Sequence, residues 1–545
     1  MSTDDPATDP PTSELGDPEA LRLLATLVAS APTNLEDPPR GRYEKPNYRR
    51  TADLLVRAAR GYGLATRVFD PLVEGREVGA LHGVPRPNVI VDLDVGARET
   101  VLILAHYDVV PVPEDEKPRW HSPPHALTRR ADGRLYARGA NDDLGSGVVA
   151  SLMALKRLAA DPRPSPRNVR LLLCCDEETG GEGGVEQLKA HDDRLPPGDP
   201  ARFLVGEVAL IPDGSPHATA GSCGVAFLDG TFDGPVALPA VLSYGERLIA
   251  LHETAKVWRS TFASPDWPDH GAPEPVITGR ATLTGFSLGP APGAAPAVGP
   301  ARLVAARAET DAANQIAEAV TVVFDGPAAA VSAARAALAE EIRAPFRLAP
   351  PVATALTVPD GSLALQVIGR SAHGGYPHRG HNPVPETLRL LERLIARGLV
   401  QAQVRAPAAF AVDLRLVPEM TLDQGREPVL AEVRAWIAAE HLPAKIDAPP
   451  PRCRRGYALP EGHPAIARLD RLLHEVLGEG GVFGEYGGTD ASSLATLTTP
   501  GGAPLPALVF GSMDRAAHIH EAEESVDPRL LAGIAETIYR FVRDP

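Results

Sequence analysis

The chain has little cysteine, no block of basic residues and no long apolar run, and each lack removes a class of protein. Four cysteines in 545 residues do not make the disulfide framework of a small secreted fold. Cys174 and Cys175 are neighbours inside an apolar run and suit core filling, while Cys223 and Cys453 stand alone without metal-site spacing. No stretch reaches the roughly 18 apolar residues of a membrane span. Lys and Arg number 54 against 70 Asp and Glu, a net charge of −16. With no basic cluster, neither nucleic acid nor an anionic membrane is expected as a partner. The opening MSTDDPATDPPTSELG is acidic and proline-rich, unlike a signal peptide. Residues 1 to 16 therefore read as a disordered tail, and the protein as cytoplasmic. No repeat of fixed period is visible.

What is present is a globular composition, 44% hydrophobic, on a chain too long for one core. Helical periodicity marks 17 to 30 and 49 to 62. Apolar strands are expected at 88 to 94, 100 to 105, 169 to 175 and 208 to 211, with helices at 145 to 160 and 184 to 193 between them. Such alternation predicts an α/β domain with a mostly parallel sheet. Residues 232 to 305, rich in Pro, Gly and Ala, cannot be placed beyond a helix-like stretch at 239 to 258. From 301 to 447 strands, the first at 319 to 324, interleave with helices as in an α+β layer. After Ala448-Pro449-Pro450-Pro451, a helix at 464 to 477, a strand at 507 to 511 and a helix at 528 to 543 are expected to rejoin the first domain.

Carboxylates and histidines gather where these strands end. Val101-Leu102-Ile103-Leu104-Ala105 runs into His106, at the edge where α/β sheets build sites. Asp108, two residues on, falls on the same side and can fix the tautomer of a metal-binding His106. Asp142 precedes a helix and, read alone, is an N-cap; its two oxygens can also serve two cations. Glu177 and Glu178 are adjacent at a strand end, where like charges need solvent, a proton, a partner or a metal. Asp213 in Pro-Asp-Gly reads as a turn, and His520 lies in an acidic loop. Each is ordinary alone. Together His106, Asp142, Glu178, Asp213 and His520 make an oxygen and nitrogen donor set for Zn²⁺, Mn²⁺ or Co²⁺. One bridging Asp with two further ligands per ion makes a two-metal site, with Glu177 left over as general base and acid.

These residues resemble the M20 family of metallopeptidases. His106-Tyr107-Asp108-Val109-Val110-Pro111 is similar to that family's H-x-D-V-x-P. Trp120, Pro124, Gly133-Arg134-Leu135 and Arg138-Gly139-Ala140-Asn141-Asp142-Asp143 follow its next segment. Asp176-Glu177-Glu178-Thr179-Gly180 resembles D-E-E-x-G. Gly369, His373, Pro377, Gly380 and Asn382 follow its lid signature. The resemblance implies that His106 and Asp213 bind one metal, Glu178 and His520 the other, and that Asp142 bridges. It implies that Asp108 orients His106, that Glu177 handles protons and that His373 stabilises the oxyanion. Asp413-Leu414-Arg415 is similar to the carnosinase-type dipeptidases and implies a substrate-carboxylate role for Arg415. Ala313-Asn314-Gln315 resembles a segment of bacterial Xaa-His dipeptidases whose Asn assists the oxyanion, without the Val-Pro that follows there. Gly487-Gly488-Thr489-Asp490 is like a loop whose backbone N–H groups hold a carboxylate.

The chain departs from the pattern at Leu144, where the family usually has Lys. The gap before Asp213 is long, so Glu207 is a rival ligand, and His518 competes with His520. The expected fold is thus a two-domain α/β zinc hydrolase. Its catalytic domain spans 17 to 231 and 448 to 545, around an inserted α+β, ferredoxin-like lid at 232 to 447. The expected activity is di-metal hydrolysis of an amide in a small carboxylate-bearing substrate, in the first place a dipeptide. The alternatives are an N-acyl amino acid deacylase and a non-catalytic metal- or peptide-binding relative; the retained Glu177 speaks against the latter. Two divalent cations are expected, zinc before manganese or cobalt. A homodimer is left open.

Overall fold

A computed structural model describes residues 18–33, 48–75, 84–112, 116–264, 275–289, 299–309, 315–343, 353–357, 363–402, 405–449, 453–460 and 462–544. The expected tail at 1 to 16 lies outside them. The contacts divide the chain into two units, one of 1–221, 457–483 and 489–545, the other of 222–456 and 484–488. Among the described residues no helix is long and apolar enough to cross a membrane.

The first unit is built on a mixed sheet. Its centre is parallel: Asn168–Cys174, Thr100–His106, Val208–Ile211 and Ala507–Val509 lie side by side in that order. Antiparallel strands flank it, Asn88–Leu93 and Ala65–Phe69 on one side and Ala218–Ser222 on the other. Every residue of Thr100–His106 after the first is buried, as a strand covered on both faces requires. Parallel pairing sets His106 opposite Cys174, so the loops that follow these strands leave from one edge.

The helix expected at 145 to 160 is real but starts earlier and wider. Asp142–Ala150 is π-helical and passes into the α-helix Ser151–Ala160. Leu144 N donates to Gly139 O at 3.0 Å and Ser146 N to Asn141 O at 2.7 Å, both five residues back. Such widened turns concentrate at functional sites. Gly145 permits this one, since a Cβ there would stand 2.3 Å from Ala140 O. Gly139 has φ +71°, and a Cβ on it would meet Val109 Cγ1 at 2.3 Å.

The second unit is an antiparallel sheet sharing one core with its helices. The strand order is Ala353–Thr357, Leu363–Ile368, Ala319–Asp325, Arg302–Glu309, Arg280–Leu288, Ala408–Leu416, Gly224–Phe232 and Ala444–Asp447. Val241 and Leu248 of the helix Leu238–Ala255, Leu388 and Leu391 of Pro383–Ala396, and Val429 and Val433 of Leu422–Ala439 are buried in one cluster with Leu283, Phe286, Phe410 and Val412 of the strands. Two expectations change here. Gly224–Phe232, assigned in sequence to the first domain, pairs with Ala408–Leu416 in this sheet. Part of the unplaced stretch 232 to 305 supplies two of the sheet's inner strands, Arg280–Leu288 and Arg302–Glu309.

Candidate metal centre

In the first unit the strand ends bring histidines and carboxylates together. His106 Nε2 lies 3.7 Å from Asp143 Oδ1 and 3.9 Å from Asp213 Oδ2. Its Nδ1 stands 3.1 Å from the backbone oxygen of Asp108 and 3.3 Å from Asp108 Oδ1. That backing fixes the ring and turns Nε2 to the acids. The neighbouring strand ends at Cys174, and the chain turns at Asp176, whose φ is 63°. Asp176 is held there by an ion pair with buried Arg86. Asp108 then accepts the backbone N–H of Glu177 on Oδ1 and of Glu178 on Oδ2, each at 3.1 Å. His520, also at positive φ, places Nε2 at 2.8 Å from Glu178 Oε1.

Two sets of donor atoms result, each within 4.8 Å of one another: His106, Asp143 and Glu178, and Asp142, Asp143 and His520. Asp143 was not expected. It is the carboxylate common to both sets, and Asp142, the bridge that the resemblance implies, belongs to one of them. The widened turn beginning at Asp142 buries both neighbours. Asp213 stands beside them through His106. The rivals lie elsewhere. Glu207 N donates to Thr100 O at 2.9 Å, at the start of the strand that ends in His106 and so at the opposite sheet edge. His518 is 54% exposed and stands 3.9 Å from Glu521.

The donors suit a divalent cation. Asp142 Oδ1 and Asp143 Oδ1 are buried without a hydrogen-bond partner among the described residues, a costly state that a cation would relieve. Burial first, then Asp142, pushes the Asp143 carboxyl well up. Burial also raises Asp213 and Glu178, although His106 opposes it at Asp213 and His520 at Glu178. For His520 burial acts the other way, yet Glu178 outweighs it and raises the imidazole to about 9. This is a pocket of anions short of positive charge. Neutral His with ionised Asp and Glu is the donor chemistry of Zn²⁺ or Mn²⁺.

Around these residues runs a buried ionic frame. Arg138 donates to Glu116 at 2.8 Å and Glu524 at 2.7 Å, and its guanidinium lies over Trp120. Asn141 donates to Ser525 O at 2.8 Å, and Ser146 Oγ to Pro212 O at 2.9 Å, next to Asp213. The sequence motif contained Arg138 without showing that it pairs with Glu116 and Glu524. Arg86 gave no signal at all: it sits in Pro85-Arg86-Pro87, 90 residues from Asp176.

In the second unit, His373 sits in a loop held to the sheet. Thr282 Oγ1 donates to Gly374 O at 3.0 Å and Arg280 Nη1 to Gly375 O at 2.9 Å. Gly375 N donates to His373 Nδ1 at 3.1 Å. Arg415 is buried, and its fork faces Asp413, with Nε at 2.7 Å and Nη2 at 2.8 Å from the two oxygens. A third donor, Nη1, reaches Tyr486 O at 3.1 Å. The bidentate face expected for a substrate carboxylate is therefore taken by Asp413, two residues away on the same strand. Gly488 closes this unit and Thr489 reopens the first. Gly488 has open space beside its Cα, whereas the Thr489 hydroxyl accepts from Ala491 N at 3.2 Å. Asn314 lies outside the described residues.

Comparison with known proteins agrees with this chemistry. The model of peptidase family M20/M25/M40 matches residues 102–544. An uncharacterized metallohydrolase of Methanocaldococcus jannaschii is 28% identical over 198 residues, 36% of this chain and 44% of that protein. A succinyl-diaminopimelate desuccinylase of Acidovorax ebreus is 36% identical over 148 residues, 26% of this chain and 36% of that protein. The chain thus matches less than half the length of these curated relatives. Among solved structures, human carnosine dipeptidase 1 aligns with TM-score 0.57 and 12% identity over 97% of each chain. The di-peptidase Dug1p of Saccharomyces cerevisiae aligns with TM-score 0.58 and 12% identity, covering 96% of this chain and 95% of that one. At such identity these two show a shared fold.

Proposed function

The chain belongs to peptidase family M20/M25/M40, a metal-dependent hydrolase of peptide or amide bonds, and on that premise we propose the substrate and the roles of its residues. The substrate is a small molecule with one amide and a free carboxylate, in the first place a dipeptide. The observation that carries the reading is the meeting of His106, Asp142, Asp143, Glu178, Asp213 and His520 at one sheet edge, with buried carboxylate oxygens left unpartnered.

Two cations would be held by these six side chains, zinc before manganese or cobalt. Bound there, they supply Lewis acidity toward a carbonyl and lower the pKa of water. Glu177, placed by its N–H on Asp108, takes the proton of the attacking water and returns it to the leaving amine. His373 donates to the oxyanion. Gly375 N donates to its Nδ1 at 3.1 Å, and Arg415 Nη2 stands 3.5 Å from its Nε2. Arg415, committed to Asp413, acts as the fixed floor of the His373 loop.

The desuccinylase relative favours a second reading, removal of an acyl group from an amino acid. Zinc- or manganese-loaded protein, assayed on dipeptides and on N-acyl amino acids with chelator controls, separates the two. Chelator-sensitive turnover of dipeptides over acyl amino acids is expected. Turnover of acyl amino acids alone would replace the first reading by the second, and turnover of neither would sink both.

A further inference from the structure

We infer that Arg86 is a positioning residue for the metal centre: its ion pair with Asp176 sets the turn that presents Glu177 and Glu178. Arg86 stands just before Asn88–Leu93, which runs antiparallel to Asn168–Cys174 with Val89 opposite Leu173. The start of one strand therefore lies beside the end of the other, and there Arg86 Nε meets Asp176 Oδ2. Both residues are 4% exposed. Arg86 is itself held from several sides. Pro85 and Pro87 flank it and restrict the backbone. Its N–H donates to Asp70 Oδ1 at 3.2 Å, and its carbonyl accepts from Asn88 Nδ2 at 3.1 Å. Pro87 O accepts the hydroxyl of Tyr107, so this strap is also tied to the segment that carries His106 and Asp108.

The turn that Arg86 faces needs a holder. Asp176 has φ 63° and ψ 18°, a left-handed conformation that aspartate visits more readily than most residues but that only glycine adopts freely. Gly180 and Gly181 follow at positive φ, and Gly181 N–H closes the turn on Asp176 O. The ion pair packs directly on the backbone of Gly183: a Cβ there would stand 2.2 Å from Asp176 Oδ2 and 2.8 Å from Arg86 Cδ. Asn88 Nδ2, which holds the carbonyl of Arg86, also donates to Gly183 O at 3.0 Å, so strap and turn are clamped together. With Asp176 in this conformation, the next two N–H groups both reach Asp108. Glu177 and Glu178 thus have two anchors, Asp108 through their own N–H groups and Arg86 through the residue before them.

This rests on the roles proposed above for Glu177 and Glu178, and it is read by spectrum as well as by turnover. The visible absorption of cobalt-loaded full-length protein reports the ligand geometry about the ion. Arg86→Met, saturated with cobalt, should show a displaced spectrum. Saturated with zinc, it should lose about tenfold or more of kcat on a dipeptide, the scale for groups that orient a metal site, with little change in KM. Arg86→Met combined with Asp176→Gly should recover both, because glycine adopts the turn unaided and no acid is left facing the missing cation. A purely structural pair would lower the melting temperature of Arg86→Met and leave spectrum and kcat at wild-type values, which would overturn the inference. A double variant as impaired as Arg86→Met would overturn it too. Should Arg86→Met not fold, Asp176→Ala and Asp176→Asn decide. Alanine offers Arg86 no acceptor and resists the turn, whereas asparagine offers an oxygen and tolerates it. A spectrum displaced in the first and unchanged in the second supports the inference, and any other pattern overturns it. If wild type hydrolyses neither dipeptides nor N-acyl amino acids, the proposed activity fails and the spectra alone decide the place of Arg86. Dipeptide turnover with wild-type spectrum and kcat in Arg86→Met would uphold the activity and reject the inference.

Discussion

Asp108 bonds the backbone of Glu177: its carboxylate accepts that N–H at 3.1 Å and the next one, of Glu178, at the same distance. The residue that backs His106 thus also fixes the loop carrying the proposed base. Asp108→Ala should leave the half-buried N–H groups of Glu177 and Glu178 without this partner. Metal affinity and kcat should each fall by roughly 10–100-fold, as for other groups that orient metal ligands. Chelator competition and steady-state rates check this, and unchanged values would remove Asp108 from the site.

The pair Asp142 and Asp143 divides the centre. Because Asp143 belongs to both donor sets, Asp143→Asn should lower the affinity for both ions. Asp142→Asn should weaken chiefly the one near His520. Metal analysis after dialysis against graded chelator gives the stoichiometry of each variant. The reverse pattern would return the bridging place to Asp142.

Glu177→Ala should keep its metal and lose about 10²–10⁴ of kcat, the range of general base catalysis. A variant that turns over like wild type would take the proton-handling role from Glu177.

His125 offers a pH test away from the cations. Burial first, then the charges of Arg138 and Lys117, holds its imidazole at about 4, against an ordinary 6.5. The unfolded chain therefore binds the extra proton between those values, so stability is lost as pH falls from 6.5 toward 4. The loss should be on the order of 2–3 kcal/mol by linkage. It appears as the difference between wild type and His125→Gln in urea unfolding at pH 7 and pH 4.5. Parallel curves would show that His125 is not strained.

Much of this molecule could be read from the chain because its signals are local. The run ending in His106 is both strand and ligand in one stretch, and Glu178, Asp213 and His520 each follow a recognisable strand or motif. The parallel centre of the first sheet follows from those runs alternating with helices. What stayed hidden depends on geometry or distance. Asp143 enters both donor sets from a π-helical turn that no periodicity announces. Arg280–Leu288 has a register shift between Leu283 and Gly285, which breaks the alternation of a strand. Arg86 and Asp176 are 90 residues apart, and Arg415 looked free because its partner Asp413 also belongs to the motif.

The proposed hydrolysis requires cations at the edge where His106, Asp143 and Glu178 meet. Purified protein, reconstituted with zinc or manganese and dialysed, should hold close to two equivalents by elemental analysis, and His106→Ala should hold fewer. Wild type that retains no stoichiometric metal under these conditions would contradict it.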